Sequence, residues 1–119
     1  MDFVPFDLAV KLKEKGFDCS CIGHYVNNQL YITHYLNAFH SDKDESLDAP
    51  TISQVLKWLR EEKKIYIMVD RSFSVRGWHY YIIDDDDFEN PIQQEVEHNR
   101  CYEQAAIAGI EYVLDNLIK

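Results

Sequence analysis

Two cysteines near residue 20 and the histidines that follow them have the side chains that zinc prefers. Cys19 and Cys21 are separated by one residue, and His34 lies opposite Cys21 if the segment between them forms a hairpin. Structural zinc sites use four tetrahedral ligands and usually place about two to four residues between paired cysteines. Cys19, Cys21 and His34 are therefore a candidate metal site that needs a fourth ligand, such as His40. The alternative is a pair of reduced thiols that bind nothing.

A second candidate is the segment of residues 71–77, which connects two predicted strands. Phe73 lies near its tip, with Arg71 and Arg76 on either side. An aromatic ring flanked by arginines is typical of the residues that contribute most to protein–protein binding. Arg71, Phe73 and Arg76 are therefore the predicted binding residues. The aromatic rings on the following strand suggest base stacking as an alternative, but surfaces that stack bases also need a basic groove. Packing in the core explains these rings without a nucleic-acid ligand.

The acidic run of residues 84–87, followed by Glu89, has the oxygen ligands that divalent cations prefer. A calcium-binding EF-hand loop alternates its ligands and needs a Gly and a Glu at fixed positions, and this run has neither feature. We interpret it as a solvated loop whose charge protects a sheet edge from aggregation.

Three segments have the apolar spacing of helices. Residues 5–15 place leucines on one face and end at Gly16, which is typical of a helix C-terminus. A second helix begins at Thr51, because Thr51 and Gln54 have the spacing of a capping box. A third covers residues 100–117, with Asn99 as its predicted N-cap, and Gly109 within it predicts a close approach to a strand or another helix.

Two pairs of segments have the alternation of antiparallel strands. Residues 21–26 and 29–35 are predicted to pair through an Asn27-Asn28 turn, which sets Val26 opposite Gln29 and His24 opposite Tyr31. Residues 65–70 and 78–83 form the second hairpin. Both faces of its second strand are apolar, which predicts a central strand covered on two sides. Residues 37–48 and 84–99 are polar and predicted to be loops.

The element order α-ββ-α-ββ-α predicts an α+β fold. Strands joined by local turns form an antiparallel sheet, here of three to four strands, and the three helices cover it. A chain of 119 residues with 46% hydrophobic residues is long enough for one hydrophobic core. We therefore expect a single α+β domain over residues 1–119.

The balance of charge excludes several classes of function. The net charge is −9, with 12 Lys and Arg against 21 Asp and Glu, so direct binding to nucleic acid is not expected. No apolar run reaches the length of a membrane span, and the first residues do not form a signal peptide. We expect a protein of the cytoplasm, where its three cysteines are reduced. The sequence also contains no phosphate-binding glycine loop and no nucleophile elbow, so no cofactor is expected and an enzyme is the less favoured class.

Several segments spread along the chain carry a resemblance to known sequences, namely residues 8–17, Ala49, Pro50, Thr51, Gln54, 58–60, 77–80 and 102–105. Together they resemble a family of small proteins encoded in prophage-like and mobile-element regions of gut Bacteroidales. The likeness spans most of the chain apart from residues 37–48 and 84–98. That family has no established activity, so the resemblance implies a bacterial cytoplasm and mobile DNA as context, and no site residues.

Three functions remain open from the sequence. The first is a non-enzymatic interaction module of phage or mobile-element origin, which binds another protein or a second copy of the chain. The second is an acidic protein that mimics nucleic acid and inhibits a DNA-binding protein, which the charge of −9 favours. The third is a zinc-binding or enzymatic protein that uses Cys19, Cys21 and His34.

Overall fold

The predicted α+β class is confirmed by the computed structural model, which describes residues 2–32, 46–71, 77–97 and 101–118. This described part contains three α-helices and two antiparallel sheets of three strands each, in the orders β2-β1-β3 and β4-β5-β6. The helices are α1 (Phe6–Glu14), α2 (Ile52–Trp58) and α3 (Tyr102–Asn116). The strands are β1 (Gly23–Val26), β2 (Gln29–Ile32), β3 (Ser46–Ala49), β4 (Ile65–Arg71), β5 (Gly77–Asp84) and β6 (Ile92–Glu97).

Helix α1 ends where its sequence predicts. Gly16 has a φ of +93°, which a residue without a Cβ adopts at little cost. The amide of Phe17 donates to the carbonyl of Leu12 at 2.9 Å, and that of Gly16 donates to Lys13 at 3.2 Å. These are the two hydrogen bonds of a Schellman motif. Phe17 is buried and packs edge-on against Trp58 of α2, with ring centroids 5.3 Å apart. The end of α1 is thus fixed to the core.

The predicted register of the first hairpin is confirmed. Val26 pairs with Gln29, and His24 pairs with Tyr31. The turn residues Asn27 and Asn28 both have positive φ, 49° and 66°, as a type I′ turn requires. Strand β1 begins at Gly23, so Cys21 precedes the hairpin and has no described cross-strand partner. Its predicted cross-strand partner, His34, lies outside the described residues.

Strand β3 corrects the prediction that residues 37–48 form a loop. Residues 46–48 belong to a strand that pairs with β1, on the side opposite β2. The Ser-Leu-Asp-Ala sequence has only four residues, two of them polar, so its alternation is too brief to identify a strand, and pairing with β1 decides its structure. Gly23 pairs with Ala49 in this ladder, and a Cβ on Gly23 would lie 2.6 Å from a ring carbon of Phe3. A glycine is therefore required there.

The predicted capping box of α2 is confirmed. The side-chain oxygen of Thr51 accepts from the amide of Gln54 at 3.2 Å, and Gln54 Oε1 accepts from the amide of Thr51 at 2.9 Å. The helix continues as a π-helical turn, Leu59–Lys63, and Lys64 then takes a left-handed conformation with a φ of 56°. This conformation turns the chain from the helix into β4.

The second sheet has β5 at its centre, as predicted. Tyr66 pairs with Ile83 and Met68 pairs with Tyr81. The prediction that residues 84–99 form a loop is wrong for β6, which pairs with the other side of β5. Gln94 interrupts the apolar alternation of Ile92 and Val96 in the sequence, so the strand forms because β5 offers it an open edge.

Helix α3 connects the parts of the core. It contacts α1 and α2 as well as β4 and β5, and Lys11 of α1 forms an ion pair with Asp115 at 3.2 Å. The residue before the helix, Cys101, is its N-cap, while the predicted cap Asn99 lies outside the described residues. The buried side of α3 consists of Ala105, Ala106, Gly109, Ile110, Val113 and Leu114.

Gly109 confirms the predicted close approach. A Cβ on Gly109 would lie 3.1 Å from Cγ2 of Ile67 and 3.3 Å from the ring of Tyr80. Such distances are shorter than ordinary van der Waals contact. The absence of a side chain at Gly109 thus lets α3 lie directly on β4 and β5, and this contact defines the covered face of the second sheet.

Candidate functional site

Cys19 and Cys21 lie between α1 and β1, where burial suppresses their ionisation. Cys21 is 1% exposed, and its thiol donates to the carbonyl of Cys19 at 3.3 Å. Burial, followed by the charge of Asp48 and by Cys19, raises the pKa of Cys21 to about 12. Burial, followed by nearby carboxylates of which Asp18 has the largest effect, raises the pKa of Cys19. Both thiols are therefore protonated at neutral pH, which disfavours a nucleophile because the thiolate is the reactive form.

The candidate zinc site of Cys19, Cys21 and His34 stays a prediction. His34 and His40 lie outside the described residues. Within the part of the chain that the structure describes, no three His, Cys, Asp or Glu side chains are placed to hold a metal ion together. The two cysteines supply at most two of the four ligands that zinc needs.

His24 is a buried polar residue that connects β1 and β3. It is 1% exposed, and its Nδ1 lies 3.3 Å from Oδ1 of Asp48, its partner in the β1–β3 register. Buried polar groups in native proteins are paired in this way because an unpaired one is costly. The position of this pair within a strand ladder explains it as a structural contact between the strands.

Arg71, a predicted binding residue, is bound within the second hairpin. Its Nη1 donates to the carbonyl of Gly77, and its guanidinium carbon lies 5.9 Å from the centroid of the Trp78 ring. Trp78 in turn packs edge-on against Tyr102 of α3, with centroids 6.0 Å apart. Arg71 therefore joins β4 to β5 at the end of the hairpin next to the connecting segment. The other two predicted binding residues, Phe73 and Arg76, lie outside the described residues, so their role stays a prediction.

The second sheet has one face covered by α3. Ile67 and Tyr80 contact Gly109, and the Tyr80 ring lies 6.5 Å from that of Tyr112. Ile82, on the same side of β5, is 1% exposed. Successive residues of a strand point to opposite faces, so the residues between these point away from α3.

The opposite face of the sheet carries four apolar or aromatic side chains, which we call the open face: Tyr66, Met68, Tyr81 and Ile83. They form two neighbouring cross-strand pairs of β4 and β5. Met68 is 44% exposed, and the other three are half-buried. Among the described helices, α3 is the one that packs on this sheet, and it packs on the other side. The prediction that β5 is covered on both faces is therefore met on one face only among the described elements.

Carboxylates lie at both ends of the open face. At one end, Asp70 pairs with His79, which is 8% exposed and packs its ring against Tyr81. At the other end, the hydroxyl of Tyr66 lies 3.5 Å from Oδ2 of Asp85, in the exposed turn Asp85–Asp87. Residues 65–97 contain two arginines and eight carboxylates, namely Asp70, Asp84, Asp85, Asp86, Asp87, Glu89, Glu95 and Glu97. An apolar surface with an acidic border results.

A second exposed apolar surface lies on β2, at the edge of the first sheet. Leu30, Tyr31 and Ile32 are 40%, 45% and 56% exposed, and β2 contains no charged residue. Free edges with exposed apolar side chains are places where another strand can pair. The four residues of β2 carry no charge that would select a partner, whereas the open face has carboxylates at both ends. The open face is therefore the candidate surface whose surroundings indicate the charge of a partner.

A cavity of about 530 Å³ lies between the first turns of α2 and α3. Ile22 and Ile52 form apolar parts of its wall, while Asp2 and Glu103 supply carboxylates. The described residues that line it include no cysteine or histidine, and so no thiol nucleophile or imidazole base. Its lining does not favour one class of ligand over another.

Sequence reasoning did not identify the open face. The alternation of Tyr66, Met68, Tyr81 and Ile83 indicates an apolar second face, which is also the pattern of a strand within a core. A sheet face covered by a helix and one covered by a binding partner have the same pattern, and only the position of α3 separates them.

Comparisons with known proteins indicate no function for the chain, so a proposal must be based on the surfaces described above. No family model, no protein of curated function and no solved structure matches the chain. None of the helices in the described segments is long and apolar enough to cross a membrane. Of the two exposed apolar surfaces in the described segments, the open face is the one with carboxylates at its ends.

Proposed function

We propose that the chain is a small non-enzymatic protein-interaction module that binds a partner protein through the open face. The observation that supports this most is the position of Tyr66, Met68, Tyr81 and Ile83 on a sheet face opposite α3. Tyrosine and methionine are enriched at protein interfaces, because each offers a large contact area. A sheet of one domain normally places polar residues on a face that only water contacts.

The acidic border makes a cationic partner the natural one. Exposed carboxylates at both ends of the face favour lysine and arginine side chains, which give specificity and a faster association rate. Nucleic acid would meet like charge at the same place. The proposal is therefore a protein partner with basic residues around an apolar contact.

Two further expectations belong to the proposal. The resemblance to proteins of mobile elements implies that the module works in a bacterial cytoplasm, next to proteins that handle mobile DNA. The suppressed ionisation of Cys19 and Cys21 supports a role without covalent catalysis, because the thiolate is the nucleophile. We also propose that residues 1–119 act as a single domain.

The test compares two variants that add the same charge to exposed apolar positions. Met68→Lys changes the open face and Ile32→Lys changes β2. Partners are captured from host lysate with the tagged full chain, and both variants are first checked for an unchanged melting temperature. We expect the partner to be lost with Met68→Lys and retained with Ile32→Lys. Retention by both variants, or loss with Ile32→Lys alone, contradicts the proposal.

A nucleic-acid mimic is the second candidate, because most of the net charge lies within residues 65–97. A mimic would bind through its carboxylates, whereas the interaction module binds through the apolar side chains and uses the carboxylates as a border. The variant Asp85→Asn/Asp86→Asn/Asp87→Asn separates the two. For a mimic, this variant abolishes capture and Met68→Ala leaves capture intact. For the interaction module, Met68→Ala is the more damaging change.

A further inference from the structure

We propose that the element of the partner that packs on the open face is a cationic amphipathic α-helix. This inference deepens the proposed function and rests on it. It combines the dimensions of the second sheet with the charges at its border. Other occupants of a sheet face are a second sheet, which includes a second copy of this chain, and an extended peptide.

The covered face of the same sheet shows which element fits its dimensions. There a single helix, α3, lies on β4 and β5 through Gly109. Three strands span about 10 Å from first to last, which matches the diameter of about 10 Å of one helix. Strand β4 has seven residues, so it is about 24 Å long, and a helix of about 16 residues covers that length. One helix is therefore sufficient for the open face.

The border determines the charge of that helix. Asp70 lies at one end of the open face, and Asp85, Asp86 and Asp87 lie at the other. The one described arginine of this sheet, Arg71, belongs to the covered side and is bound to Gly77 and Trp78. A helix with an apolar stripe between rows of Lys or Arg places its cations next to these carboxylates. The faces of Tyr66 and Tyr81 also attract cations.

The same charges disfavour a second copy of this chain. Two open faces in contact would bring two acidic borders together on chains that each have a net charge of −9. An extended peptide is also a poorer fit, because a strand pairs with the edge of a sheet, whereas the exposed side chains here lie on a face. A basic amphipathic helix satisfies both the shape and the charge.

Designed peptides test this inference on the full chain without knowledge of the natural partner. The first peptide has about 18 residues of Leu, Ala and Lys, with Leu at the i, i+3, i+4, i+7 spacing of one helix face. The second has the same composition in an order that distributes Leu around the helix. The third carries Glu in place of Lys. Each is titrated into the 15N-labelled protein, and amide shift changes and Kd are measured for wild type, Met68→Lys and Ile32→Lys.

We expect the first peptide to bind at least about tenfold more tightly than the other two, with the largest shift changes in β4 and β5. Its affinity falls with Met68→Lys and is unchanged with Ile32→Lys. Equal affinity for the reordered peptide would overturn the inference, since charge alone would then explain the binding. Shift changes outside the second sheet, or no binding of the first peptide, overturn it as well.

Failure of the helix inference can be distinguished from failure of the proposed function. If a captured natural partner is lost with Met68→Lys but binds through a strand or a loop, the function stands and the helix does not. If the captured partner is insensitive to Met68→Lys, both fail. The contacting segment of the partner is identified by cross-linking the captured complex at Met68→Cys.

Discussion

Ile82 and Ile83 form a matched pair that tests which face of the second sheet is open. They are neighbours on β5, so their side chains point to opposite faces. Ile82 is 1% exposed on the side of α3, and Ile83 is half-buried on the open face. We expect Ile82→Ala to lower the free energy of unfolding by about 3 to 4 kcal/mol, and Ile83→Ala by about 1 kcal/mol.

The two magnitudes follow from burial. Changing Ile to Ala removes three carbon groups, and each contributes about 0.8 kcal/mol when it is buried. For Ile82 this gives about 2.4 kcal/mol, to which the cavity left under α3 adds about 1 kcal/mol or more. At Ile83 only about half of the transfer energy is lost, and water fills the space without a closed cavity.

Urea denaturation of the full chain measures the difference. A gap of about 2 kcal/mol between the variants separates their urea midpoints by about 1 M or more at a typical slope for a domain of this size. Equal destabilisation by the two substitutions would refute the reasoning. It would mean that the face of Ile83 is as well covered as that of Ile82, and the open face would then be part of the core.

Three other outcomes test the fold and the cysteines. We expect Gly109→Ala to leave the stability nearly unchanged, because the gain in helix propensity of about 1 kcal/mol is offset by the close contact of the new methyl group with Ile67 and Tyr80. Gly109→Val should destabilise the protein by about 1 to 3 kcal/mol or more in thermal unfolding. Thr51→Ala removes the capping box and should cost about 1 kcal/mol in the same assay. The raised pKa of Cys21 means that the folded state keeps a proton that the unfolded state loses between pH 9.0 and about 12. Stability should therefore fall as pH rises through that range, by up to about 1.4 kcal/mol per pH unit, and Cys21→Ala should make the fall less steep.

Elements specified by local chemistry were predictable from the sequence. The Asn27-Asn28 turn set the register of the first hairpin, and the Thr51 and Gln54 pair marked the start of α2. In each case a few adjacent residues determine the backbone, since positive φ or a free amide needs a particular side chain nearby. Gly109 was predicted to mark a close approach for the same reason.

The two missed strands depend on partners far away in the chain. Ser46–Ala49 is a strand because β1 presents a free edge, and Ile92–Glu97 because β5 does. Edge strands are often short and polar, so their own alternation is weak, and a single sequence does not show which edge they will meet.

The sequence predicts which residues the candidate site contains but not that they lie on an uncovered face. The apolar residues of β4 and β5 were identified, but whether a given face lies under a helix depends on tertiary packing. The cysteines illustrate the same limit. Their types and spacing suggested zinc, while their burial, which raises the pKa of Cys21, is a property of the folded chain.

The way α3 connects the core also bears on how the protein is made. The buried residues of α1, α2 and β4 are completed by Ala106, Ile110, Val113 and Leu114, and α3 is the last described element in chain order. During translation both hairpins and the first two helices are synthesised before the helix that joins them. Local elements can form early, but the cooperative core forms only after synthesis reaches α3. Until then the face of Ile67 and Tyr80 that Gly109 contacts has no helix to cover it.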